Sequence, residues 1–214
     1  MPIKRAPHRR ERKRADQSWG LGLLWLVACL IASYVAMGYE FRPGRLGPQP
    51  SSWPSGSTLT RSTEHPTVMA FLHPRCVCTR ATVKQLVRTI TAYPGAKLVV
   101  SVFVPPAPAD SHGWIDGEYA QTIRAALPSA HLVPDRGGRE ARRFGALTSG
   151  TILVYDTGGR EIFRGGITNR RGGEEDNPGL RQFAQLLRGE PRLAHAGTSP
   201  VFGCPLVTDR EANK

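Results

Sequence analysis

At 214 residues the chain has room for one ordinary domain with appendages, so a single core is the default expectation. Its formal charge of +12 would suit a nucleic-acid ligand, but the distribution of that charge argues against the class. Lys4, Arg5, Arg9, Arg10, Arg12, Lys13 and Arg14, offset by Glu11 and Asp16, place +5 in the first sixteen positions; the other +7 is scattered among acids, without the basic stripe and interleaved aromatics that follow a phosphate backbone.

Gln17 to Tyr39 contains no charged residue and is long enough to span a bilayer, which takes about 20 apolar residues. Trp19 and Tyr39 stand at its ends, where amphipathic rings favour the headgroup level, and Lys and Arg are retained on the cytoplasmic side. Two other readings exist, a cleaved signal peptide and a buried core helix. The apolar stretch exceeds a signal h-region of about 7–15 residues, and no A-x-A site precedes Glu40. The expected organisation is a basic cytoplasmic segment (1–16), a transmembrane anchor (17–39), a linker (40–66), a domain (67–190) and a tail (191–214). The expectation is a single-pass protein of the inner (cell) membrane whose domain faces the periplasm or cell exterior, where disulfides form and persist.

The linker is rich in Pro, Gly, Ser and Thr and reads as a tether. Thr67 to Leu72 is a short apolar run suited to a buried strand. Val83, Leu86, Val87 and Ile90 then recur on one face of a helix, which Pro94-Gly95 ends. Lys97 to Val104 is dense in β-branched residues and reads as a strand, and a Pro-rich loop follows. Tyr119, Ile123, Ala126 and Leu127 indicate a second helix, with Asp116 as its N-cap and Pro128 ending it. His131–Val133 suits a short strand and Arg139–Phe144 a short helix. Thr151–Tyr155 and Arg160–Arg164, separated by Asp156-Thr-Gly-Gly159, form a hairpin. Leu180, Phe183 and Leu187 mark a closing helix with Asn177 as N-cap and Pro178 at its first position. This alternation predicts an α/β fold, a mixed sheet flanked by helices, because parallel neighbours need crossovers and the hairpin supplies an antiparallel edge.

Chemistry concentrates in Phe71-Leu-His-Pro-Arg-Cys-Val-Cys-Thr-Arg-Ala81, at the junction of the first strand and the first helix. Unpaired N–H groups at a helix N-terminus and nearby cations, here Arg75 and Arg80, favour a thiolate, so a nucleophilic cysteine is expected. The plainer alternative is a pair of ordinary buried cysteines at a strand end. Residues two apart on a helix do not face each other, so Cys76 and Cys78 can join only if Cys76 stays in the turn before the helix. Such a bond would be tight and suited to exchange. Cys204, in Val201-Phe-Gly-Cys-Pro-Leu206, offers a second partner. Phe202 and Leu206 could dock the tail, and a disulfide from there would close a loop of over a hundred residues, worth about 4–5 kcal/mol in the chain-entropy model. The pairing stays open between Cys76–Cys78, a bond that uses Cys204, and free or metal-bound thiols. Cys29 falls inside the span and reads as inert packing.

Val68 to Ala81, the stretch Phe144-Gly-Ala-Leu-Thr-Ser-Gly-Thr-Ile-Leu-Val-Tyr-Asp156, the hairpin after it and Gly165-Gly-Ile-Thr168 resemble membrane-tethered thioredoxin-like proteins related to cytochrome c maturation factors, including a bacterial group called RedB-like. The resemblance covers roughly residues 67–190. It implies a thioredoxin-like fold, thiol–disulfide oxidoreductase activity without a cofactor, and partners among other exported thiol or disulfide proteins. It places Cys76 at the attacking position, Thr79 where the family's second cysteine stands, and Cys78 one residue early. Gly150 occupies the place of the family's cis-proline, and without that ring the space opposite Cys76 is expected to be wider. Cys76 should then be the more acidic and more exposed thiol, with Cys78 resolving the mixed disulfide.

Two other functions are compatible with the residues. His73, Cys76 and Cys78 form a soft donor set that would suit Cu(I), as in a copper chaperone for oxidase assembly. A non-catalytic interaction domain that merely keeps the fold would need none of these thiols.

Overall fold

The computed structural model describes residues 9–50, 52–93, 95–105, 112–189 and 197–207. Residues 1–8 of the basic segment, Pro94, the proline-rich 106–111 and both ends of the tail lie outside them. The chain divides into two compact units, Met1–Glu40 and Phe41–Lys214. The first is the helix α1 (Arg9–Glu40), in which Trp19–Glu40 has a mean hydropathy of 2.1 and is long and apolar enough to cross a membrane. Its apolar side chains, Leu24, Trp25 and Ile31 among them, are exposed.

The second unit is built on β1 (Thr67–Leu72), α2 (Thr79–Ala92), β2 (Lys97–Val104), α3 (His112–Ile115), α4 (Glu118–Ala126) and β3 (His131–Arg136), followed by α5 (Arg139–Arg143), β4 (Thr151–Tyr155), β5 (Glu161–Gly165), α6 (Pro178–Leu187) and β6 (Gly197–Thr198). The strands form one sheet in the order β3-β2-β1-β4-β5-β6. β1, β2 and β3 are parallel, joined by helical crossovers, whereas β4 is antiparallel to both β1 and β5. β1 is buried at every position because it is central and covered on both faces, which is why its sequence is a continuous apolar run rather than an alternating one. β3 extends past the expected Val133 through Pro134. It can do so because it is an edge strand, where a missing N–H costs no ladder bond on the open side.

On one face, Val68, Ala70 and Leu72 of β1 pack with Val83, Leu86 and Ile90 of α2, Ile123 of α4 and Phe183 of α6. On the other, Met69, Phe71, Leu153 and Tyr155 pack with Phe144, Leu59, Leu206 and Val207. Two segments outside the regular elements therefore help to close this second core. Residues 42–66, expected to be a tether, supply Leu59 and Trp53, whose ring meets Phe144 and Tyr155 edge-on at 5.0 Å. The Gly47 N–H donates to the Gly145 carbonyl, and Ser52 pairs with Arg160 across the hairpin. A few well-placed apolar groups and backbone bonds fix a segment whose composition alone lacks a core.

Local signals decide the helix ends. Asn177 caps α6 by accepting the Leu180 N–H at 3.0 Å, with Pro178 following it, as the sequence leads one to expect. The N-cap of α4 is Gly117 rather than Asp116, because the Asp116 carboxylate pairs with Arg124 at 3.0 Å. Asp135 receives the N–H groups of Glu140 and Ala141 at the start of α5. Within the sheet, Arg164 and Glu161 form a buried ion pair, joined at 2.8 Å through Nε, and the Tyr155 hydroxyl donates to the same carboxylate. Burial and the Glu161 charge push the Tyr155 hydroxyl far above its ordinary pKa.

Candidate functional site

The turn between β1 and α2 carries two of the three clustered cysteines. The Cys76 N–H donates to the His73 carbonyl at 3.1 Å, and the Cys76 carbonyl accepts from the Thr79 N–H at 2.9 Å. Cys76 thus sits in the turn, while Cys78 occupies the N-cap of α2 with helical dihedrals. Thr79, at the position of the family's second cysteine, is buried and engaged. Its hydroxyl donates to the His73 carbonyl at 3.0 Å and meets the Ser149 hydroxyl at 3.0 Å, and the His73 N–H donates to Ser149 at 2.9 Å. A hydroxyl carries one proton, so Ser149 must donate to Thr79. The three bonds close a ring that ties the cysteine turn to the loop 148–150 before β4.

The third cysteine arrives with the tail. β6 pairs in parallel with β5, and the chain then runs across the loop before β4. There the Ser149 N–H donates to the Cys204 carbonyl at 2.8 Å, the Leu206 N–H donates to the Leu147 carbonyl at 2.8 Å, and Thr148 bridges Pro205 in antiparallel fashion. Val201, Phe202, Leu206 and Val207 are buried, which anchors the segment on both sides of Cys204. The approach is close enough to require glycine at 203, since a Cβ there would lie 2.0 Å from the Ser149 carbonyl oxygen.

These contacts converge on one sulfur. Burial pushes the Cys76 thiol up, but hydrogen bonds from the thiol and backbone N–H of Cys204, and from the backbone N–H and thiol of Cys78, outweigh it and hold Cys76 below its ordinary value. Cys78 is pushed up by burial and by the Cys76 charge, against a hydrogen bond from Arg171. Cys204 is pushed up to about 12 by burial and by its bond to the Cys76 sulfur. The site therefore holds one acidic thiol ringed by donors and two reluctant ones.

Accessibility differs from expectation. Cys76 is 1% exposed and Cys78 8%, whereas Cys204 is half-buried and Val77 between the first two is 83% exposed. The more acidic thiol is thus the more deeply covered one.

The expected supporting residues are redistributed. Arg75 stacks its guanidinium over the Trp114 ring at 4.1 Å, and Arg80 pairs with Glu118 at 3.0 Å on the surface. The cation that reaches the cysteines is Arg171, which bonds the Cys78 sulfur and donates to the Gly203 carbonyl at 2.6 Å. Nothing in its neighbourhood, a glycine-rich turn, signals that role. Gly150 has φ of +90°, far from the value of about −65° that a proline ring imposes, and its N–H donates to the Phe71 carbonyl at 2.8 Å. The space beside it is filled rather than widened: a Cβ would meet the Thr82 hydroxyl at 2.9 Å, with the Phe202 carbonyl beyond.

The His73 ring is engaged by aromatic neighbours in this structure. It stacks on Phe103 at 5.1 Å and meets Trp114 edge-on, and its Nδ1 accepts the Arg75 N–H at 3.2 Å. Burial and the Arg75 charge lower its pKa, which favours the neutral ring. Among the described residues, no three His, Cys, Asp or Glu side chains are grouped to hold a metal ion.

No protein-family model and no curated protein sequence matches the chain. Solved structures do. A hypothetical protein from Sinorhizobium meliloti superposes with a TM-score of 0.56 at 15% identity, covering 78% of this chain and 100% of its own. An uncharacterized conserved protein from Geobacillus kaustophilus gives 0.52 at 17% identity, covering 79% and 93%. A thioredoxin-like protein from Aeropyrum pernix gives 0.43 at 14% identity, covering 76% and 97%. With parallel β1 and β2 beside antiparallel β4 and β5, and cysteines on the turn from β1 into α2, the domain has a thioredoxin-like fold.

Proposed function

We propose that the chain is a membrane-tethered thiol–disulfide exchange protein acting outside the cytoplasm, with Cys76 of the Cys76-Val77-Cys78 turn as its reactive thiol. The observation that carries the reading is the set of donors around the Cys76 sulfur, which favours the thiolate in spite of burial. A structural cysteine would be served equally well by apolar neighbours, and a converging set of N–H and S–H groups has no packing value of its own. The thiolate attacks a disulfide of an exported partner. A bond forms between Cys76 and one partner sulfur, and the other partner sulfur leaves as a thiolate. A neighbouring thiol of this chain, Cys78 or Cys204, then gives up its proton and attacks Cys76, which releases the partner reduced and leaves a disulfide in this chain. Electrons can also pass the other way, from a partner dithiol to the disulfide of this chain. Placement outside the cytoplasm is supported by the basic segment preceding the apolar helix and by the redox compartment such chemistry needs. Within that reading the chain is a RedB-like relative of the cytochrome c maturation oxidoreductases.

The test is a trap in cells. The Cys78→Ser/Cys204→Ser double variant should accumulate a mixed disulfide between Cys76 and an exported protein, and the same chain with Cys76→Ser should accumulate none. Equal capture by both would remove Cys76 from the reaction, and capture of cytoplasmic proteins alone would contradict the placement. A non-catalytic interaction domain predicts no capture by either.

A further inference from the structure

The Cys76 sulfur has two candidate partners, and the backbone around them is unequal. Cys76 and Cys78 lie within one turn closed by the Thr79 N–H to Cys76 carbonyl bond, and Cys78 already has helical dihedrals at the head of α2. The Cys78 thiol reaches the Cys76 sulfur, but a bond between residues two apart closes only a small ring and would strain the turn and the head of α2. Cys204 comes from an independent segment. Its thiol and N–H hydrogen-bond the Cys76 sulfur, while its carbonyl is held by Ser149, Leu206 is held by Leu147, and the Gly203 carbonyl by Arg171. The tail that carries Cys204 is thus fixed beside the cysteine turn by contacts that do not involve α2. It is also the half-buried member of the three, so an incoming group meets Cys204 before it meets Cys76.

We propose that the redox couple of this site is Cys76–Cys204, with Cys204 facing the partner and Cys78 remaining a thiol that donates to the Cys76 sulfur. The proposal rests on the thiol-exchange reading above and names the bond that reading leaves open. In the oxidised chain, a thiolate of a partner dithiol attacks the Cys204 sulfur. The Cys76–Cys204 bond breaks, a partner–Cys204 bond forms, and Cys76 leaves as the thiolate that the surrounding donors stabilise, which makes it the better leaving group. The partner's second thiolate then attacks its own sulfur in the mixed disulfide, forming the partner disulfide and expelling Cys204, which takes up a proton. Two electrons pass from the partner dithiol to this chain, and no other oxidant enters.

The full chain, reduced and then oxidised with oxidised glutathione, is alkylated and mapped by peptide mass. The expected product is Cys76 linked to Cys204 with Cys78 alkylated, and the same bond should still form in Cys78→Ser. In Gly203→Ala, which keeps all three thiols but places a methyl against the Ser149 carbonyl, the yield of that bond should fall at least tenfold. A Cys76–Cys78 bond with Cys204 alkylated in the wild-type chain would overturn the proposal while leaving the exchange reading intact. Failure of Cys76 to react with oxidised glutathione in any variant would overturn both.

Discussion

The proposed reactivity of Cys76 rests on its hydrogen-bond donors and not on the arginines that flank it in sequence. Arg75 and Arg80 sit on either side of the motif, yet their side chains leave for Trp114 and Glu118. What replaces them is a short-range set of N–H and S–H groups, two of which come from Cys204. Removing one donor to a charged form makes that form less favourable, so the Cys204→Ala variant should raise the pKa of Cys76 while keeping its backbone donors. Thiolate absorbance followed against pH checks this without requiring a reagent to reach the buried sulfur. The first thiolate should appear at higher pH in the variant than in the wild-type chain, and an unchanged or lower onset would contradict the donor account. At this scale the sequence was legible only in part. A cysteine between a buried strand and an amphipathic helix is a readable signal, because both elements announce themselves by periodicity. The donors are not readable, since they depend on a backbone that meets the turn from more than a hundred residues away.

Elements with strong periodicity were the legible ones, and segments fixed by isolated backbone bonds were not. The run Thr67–Leu72, the stripe of α2, the hairpin and the Asn177-Pro178 start of α6 follow directly from pattern and cap chemistry. Residues 42–66 and 197–207 have no such period, yet both lie against the second face of the sheet. A buried polar device also joins β4 to β5. Arg164 and Glu161 have side chains 3% and 1% exposed, and Glu161 also receives the Tyr155 hydroxyl. Breaking a buried pair from one side leaves a desolvated charge, so Glu161→Ala should cost about 3–5 kcal/mol. The exposed pair Arg124 and Asp116 provides the comparison, since Arg124→Ala should cost no more than about 1 kcal/mol. Denaturant unfolding of the two variants side by side measures both, and equal costs would contradict the structural weight given to the hairpin pair.

At the scale of the molecule, the parts form a sequence of dependencies. An apolar helix long enough for a bilayer leads into a thioredoxin-like domain, and the domain's own tail returns to its cysteine turn. Because the segment that carries Cys204 contributes Leu206 and Val207 to the second core, assembly of the site depends on its docking. The apolar amino-terminal helix was legible from composition and length alone. The position of the tail was the least legible, because one cysteine and two apolar residues do not specify a docking register. The central claim is that Cys76 takes part in a reversible dithiol–disulfide couple. Equilibration of the full chain in glutathione buffers of stepped ratio, with acid quenching and intact mass, tests it most directly. The account predicts a reversible two-electron transition in the wild-type chain that is absent in Cys76→Ser; the same transition in both chains, or none in either, would contradict it.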